Sequence, residues 1–105
     1  MKSGMRRWHK PIPLSRLKTA SVPDHPGVYV LLSDERNLAS VLKIGAARSL
    51  RSMFESELEP PAEYRQIQPV AMMYFETAVE AAEADRLLAE YRRNNGRNPR
   101  LNSPY

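Results

Sequence analysis

The sequence predicts an α+β domain, a small three-stranded antiparallel sheet flanked by helices in the order β-β-α-β-α. Three observations lead there. Side chains alternate with period two from Gly27 to Ser33, and a second short apolar run, Val41–Gly45, follows across the polar insert Asp34-Glu35-Arg36-Asn37. Apolar residues then recur at helical spacing in two later segments, separated by the run Val70–Glu76. A chain of 105 residues forms one domain, burying roughly two-thirds of its unfolded surface.

Each element has a local cause. The first 20 residues contain Pro11 and Pro13 without clear periodicity, so residues 1–21 read as a basic extended arm, with Leu14 and Leu17 as anchors on a domain spanning 22–105. The strand from Gly27 puts Val28, Val30 and Leu32 on one face and Tyr29 and Leu31 on the other. If this hairpin pairs odd with odd positions, Tyr29 and Lys43 share a face. Ser49 is the expected N-cap of a helix over Leu50–Leu58, whose stripe is Leu50, Met53, Phe54 and Leu58, and Glu59-Pro60-Pro61 ends it. The unbroken apolar run Val70–Glu76 suits a central strand. Thr77-Ala78-Val79-Glu80 matches a capping box for a helix reaching about Arg93, with Ala81, Ala84, Leu87, Leu88 and Tyr91 facing inward. Asn95-Gly96 supplies a left-handed stop.

Composition excludes several chemistries. There is no cysteine, which removes disulfides, thiolate zinc sites and thiol nucleophiles. No secretory pattern opens the sequence, no run approaches the ~20 apolar residues of a membrane span, and the expected compartment is the cytoplasm. The net charge of +4 is unevenly spread. Residues 1–18 carry six basic side chains and 92–105 carry four, all without an acid, whereas 19–91 holds six basic residues against twelve acids. An acidic body with two basic ends is the electrostatic footprint of polyanion contact through the termini. Arg6, Arg7, Lys10, Arg48, Arg51, Arg97 and Arg100 are the candidate phosphate contacts. Solubility with ordinary basic tails is the plainer explanation.

Gly27-Val28-Tyr29, then Lys43-Ile44-Gly45, then Ala47-Arg48-Ser49-Leu50-Arg51, and finally Pro99-Arg100-Leu101-Asn102 form an ordered set. Together they resemble the GIY-YIG nuclease superfamily, in particular the nuclease modules of bacterial nucleotide-excision repair, over about residues 22–102. The resemblance implies a metal-dependent phosphodiester-cleaving endonuclease ancestry. It makes Gly27, Gly45 and Asn102 structural motif positions and places the first catalytic tyrosine at Tyr29. The second tyrosine position falls at Lys43, the phosphate-stabilising helical arginine at Met53, and the metal-binding glutamate near Asp85. Nucleic acid, DNA more than RNA, is the implied partner, with a protein of a DNA-processing system as a further one and no membrane.

Those departures bear directly on chemistry. Cleavage of this type needs a divalent cation and positive donors preorganised at the phosphate. Asp85 is an oxygen ligand suited to Mg²⁺, but its carboxylate sits ~1.5 Å closer to the backbone than a glutamate's, and displacements of that size cost ~100-fold in rate. Met53 neither donates nor carries charge, and Arg51 lies about 160° around the helix from it. Lys43 offers a point charge rather than a bidentate fork. Plain packing competes for each residue: Tyr29 as a strand aromatic, Met53 as core, Lys43 and Asp85 as solvated surface. Trp8 is read as a hydrophobic anchor before a base-stacking group, and His9 and His25 form no metal pair. The sequence therefore points to a degenerate member that binds nucleic acid with weak or absent cleavage. The alternatives are an active Mg²⁺-dependent endonuclease using Tyr29, Asp85, and Lys43 or an arginine such as Arg86, and a protein-interaction module.

Overall fold

The computed structural model describes residues 8–59 and 67–102. Strands β1 (His9–Pro13), β2 (Gly27–Leu32), β3 (Val41–Ala47) and β4 (Ala71–Glu76) combine with helices α1 (Leu50–Ser56) and α2 (Glu80–Asn95). They form one antiparallel sheet of four strands in the order β1-β4-β2-β3, so the expected three-stranded sheet gains a strand. The added strand comes from the segment that reads in sequence as an extended arm. Its prolines mask it, yet proline is tolerated on a sheet edge, where an N–H can be spared. Leu17 is 91% exposed on a 3-10 helix over Arg16–Ser21, and fully buried Val22 is the anchor instead. Leu14 packs against the core as expected.

Central strand β2 is buried along its whole length because both faces are covered. One face carries Tyr29, Leu31, Met72 and Tyr74 against Leu50 and Phe54 of α1. The other carries Val28, Val30, Ile44 and Phe75 against Ala84 of α2, with Leu87, Leu88 and Tyr91 packed alongside. Burying a side chain such as Phe54 or Leu31 contributes about 1.5–3 kcal/mol. Gly27 is needed for space, since a Cβ there would meet the Phe75 carbonyl oxygen at 2.3 Å and a Leu50 methyl at 2.6 Å.

Helix α1 starts as the sequence predicts. The Ser49 hydroxyl accepts from the Ser52 N–H at 3.1 Å, and Leu50 and Arg51 N–H groups donate to the His25 and Pro23 carbonyls. The capping box before α2 does not form. Thr77 instead accepts from the Val79 N–H at 3.2 Å, closing a tight turn, and the helix begins at Glu80. Ala81 consequently turns to solvent. Gly96 closes the helix at φ 79°, a left-handed conformation that favours glycine.

The outer edge of β3 is sealed by the chain's last described turn. Leu101 N–H donates to the Leu42 carbonyl, and the Asn102 amide both accepts from Ile44 N–H and donates to Ile44 C=O, each at 2.9 Å. One side chain thus stands in for a neighbouring strand. Asn102→Asp should lower stability by about 2 kcal/mol in urea unfolding, more than Asn102→Ala at about 1 kcal/mol, because a carboxylate cannot donate to the Ile44 oxygen. Parent-like stability of Asn102→Asp would show that the amide donor is irrelevant.

Candidate functional site

The register of β2 and β3 pairs Tyr29 with Gly45 and Leu31 with Lys43, odd with odd, so Tyr29 and Lys43 do share the α1 face. The Tyr29 ring is 3% exposed and lies across Gly45: a Cβ on Gly45 would stand 2.4 Å from the phenol oxygen. The glycine has no positive φ; it is required because the aromatic ring occupies the space of its missing side chain. Glycine and tyrosine are therefore one structural device.

Glu57, just past α1, belongs to this neighbourhood and is absent from the sequence-derived candidates. Only 7% of it is exposed, and its Oε1 has no hydrogen-bond partner. Burial raises its pKa above the ordinary carboxylate range, and the charge of half-buried Lys43 opposes that rise. A sequence signal exists: Leu50, Met53, Phe54 and Glu57 follow i, i+3, i+4, i+7, which sets an acid in the apolar stripe. Met53, one turn earlier, packs against the same core. Where a phosphate clamp would need a committed cation, the α1 face holds a lysine whose charge acts on a buried carboxylate.

A second feature invisible in sequence is a cross-sheet row. His9 pairs with Tyr74, Tyr74 with Tyr29, and Tyr29 with Gly45, so one line runs through all four strands on the α1 face. The His9 imidazole stacks on Tyr74 at 4.8 Å and 12°. Burial, and secondarily the Glu76 carboxylate, raises the Tyr74 phenol above its ordinary value, which keeps it protonated. Trp8 meets Phe75 edge to face at 4.7 Å on the opposite side of the sheet, the anchoring role expected for it.

Asp85 does not join Tyr29 and Lys43. Helix α2 turns Ala84, Leu87, Leu88 and Tyr91 to the other sheet face, and Asp85 is exposed on that layer. Among the described residues no three of His, Asp or Glu gather as a metal cage. A Mg²⁺ ion needs only one or two carboxylates because it keeps its water, so Asp85 suits at most a single-carboxylate site. Arg48, Arg97, Arg100 and Lys10 are exposed. Arg51 donates from Nε to the Val22 carbonyl at 2.8 Å and so serves the fold. Arg6 and Arg7 lie outside the described residues.

This fold has a counterpart among solved structures. The chain is similar to the GIY-YIG N-terminal endonuclease domain of UvrC from Thermotoga maritima bound to magnesium, with 25% identity and a TM-score of 0.55 over 84% of this chain and 94% of that one. The chain has the GIY-YIG fold. Two single tyrosine-to-phenylalanine variants of that UvrC domain, each bound to its catalytic divalent cation, match at the same identity and TM-score, over 84% of this chain and 94% and 93% of theirs. No family model matches the chain, and no curated protein does. Within the GIY-YIG frame, Tyr29, Gly45 and Asn102 sit on the sheet and its sealed edge. No helix among the described residues is long and apolar enough to cross a membrane.

Proposed function

We propose that this GIY-YIG domain binds nucleic acid, DNA more than RNA, in the cytoplasm, and that its phosphodiester cleavage is weak or absent. The observation that carries the reading is the Lys43–Glu57 arrangement. Lys43, on the same face as Tyr29, is coupled electrostatically to a buried carboxylate, and Met53 offers no charge. Transition-state stabilisation at phosphate needs donors committed to the developing charge, and a lysine already opposed by a carboxylate is poorly placed to supply it. Binding is supported by the basic ends of the chain, where Arg97 and Arg100 project beyond α2. Asp85, the carboxylate that would hold Mg²⁺ through water, lies on the layer opposite Tyr29, which also supports weak cleavage.

The expected result with supercoiled plasmid is binding without nicking above background in Mg²⁺ or Mn²⁺. Duplex affinity should fall with salt, and Arg97→Ala/Arg100→Ala should reduce the log–log slope by roughly 1.8, at ~0.9 for each phosphate no longer neutralised. Nicking that chelator stops and that Tyr29→Phe or Asp85→Ala abolishes would identify an active endonuclease. Absence of salt-dependent binding would point to a protein-interaction module.

A further inference from the structure

An open groove of about 750 Å³ runs between β1 and the 3-10 helix over Arg16–Ser21. Buried Ile12 lines it, with Trp8 and His9 from the start of the described chain, and Lys10 and Lys18 supply two cations against one acid, Glu35. Its volume lies within the range that holds a nucleotide-sized ligand. His9 is exposed, yet its ring orientation is set by the near-parallel stack on buried Tyr74. The row across the sheet thus ends in a flat, exposed ring stacked on Tyr74.

A preoriented ring beside two ammonium groups matches one kind of ligand. Single-stranded nucleic acid presents unstacked bases that continue an aromatic stack, with phosphates at intervals that point charges can follow. Duplex DNA keeps its bases stacked inside and has no use for such a platform. We infer that the β1 groove is a binding site for a single-stranded nucleic-acid segment, with a base stacked on His9 and its phosphates at Lys10 and Lys18. This inference rests on the nucleic-acid-binding reading and adds the strand state and the surface that receives it. Neither Tyr29 nor Asp85 takes part.

The test uses the whole chain and an oligodeoxythymidylate of about 12 nucleotides, within the usual site sizes of single-strand binders. Trp8, the single tryptophan, lines the groove, so its fluorescence should change on binding. His9→Ala should weaken binding about tenfold, within the range for removal of one base–aromatic stack, while His9→Phe retains it. Lys10→Ala/Lys18→Ala should flatten the log-affinity versus log-salt slope by about 1.4, at ~0.7 for each single-strand phosphate no longer neutralised. Thermal unfolding of each variant separates impaired binding from impaired folding. If every variant binds the oligonucleotide like the parent, or the parent binds duplex alone, the groove is not the site and the nucleic-acid reading stands. Should the parent bind neither oligonucleotide nor duplex at low salt, both fall together.

Discussion

Gly45→Ala is expected to lower stability by about 2–3 kcal/mol and to expel the Tyr29 ring from its place on the sheet. The new methyl would stand 2.4 Å from the phenol oxygen and 2.6 Å from the ring carbon that bears it, with β2 fixed between β4 and β3. Overpacking of this kind costs about 1–3 kcal/mol, occasionally more. In a Tyr29→Leu background the sign should reverse. Alanine is favoured over glycine inside a strand by roughly 0.5–1 kcal/mol once nothing occupies its space. A double-mutant cycle in urea should return a coupling of about 2 kcal/mol or more. Additive effects would mean that Gly45 and Tyr29 are not one device.

The second large effect concerns Lys43 and Glu57. Lys43→Met leaves a carboxylate that is 7% exposed without the cation opposing its desolvation. Removing one partner of a fully buried pair costs about 3–5 kcal/mol; half-buried Lys43 reduces this to about 2 kcal/mol at neutral pH. Lys43→Met/Glu57→Met should recover most of that loss, since replacing both members with apolar groups is often neutral. The pH dependence has a definite sign. Glu57 has a raised folded pKa, so between the ordinary value of 4.5 and that raised value the folded state binds more protons than the unfolded one. Stability contributed by its protonated form is complete below 4.5 and is lost as pH rises through the folded value. Glu57→Gln should remove that decline, and Lys43→Met should extend it to higher pH. Unfolding free energies of the parent and Glu57→Gln that run parallel across this range would refute the assignment.

How much of this can be read from the chain differs by element. Period-two alternation locates β2, helical spacing with Ser49 locates α1, and the Asn95-Gly96 stop locates the end of α2, because each depends on neighbours within a few residues. Thr77 fails as a helix cap although its sequence pattern is correct. The same hydroxyl can close a turn, and the tertiary path of the chain after β4 selects between the two. Strand β1 is hidden because an edge strand with two prolines lacks the ordinary marks of a strand; its pairing to β4 spans most of the chain.

The site divides in the same way. Tyr29, Gly45 and Asn102 stand out in the sequence through the motif resemblance, and the odd-with-odd register brings Tyr29 and Lys43 to one face. Glu57 escapes notice because a carboxylate in an apolar stripe ordinarily reads as surface, and its environment depends on Lys43 fourteen positions away. Order along the chain groups Asp85 with Tyr29, and only the packing of α2 on the far sheet face separates them.

By itself the sequence determined the hairpin, the two helices and the charged ends, which follow from short-range periodicity, turn chemistry and composition, and its motif resemblance implied the kinship of fold. Tertiary structure alone decided the fourth strand, the glycine–tyrosine contact, the opposed lysine and glutamate, and the stacked histidine at the groove. Those features join residues far apart in the chain, and their energies come from burial and from the charges brought together, quantities that do not exist until the sheet closes.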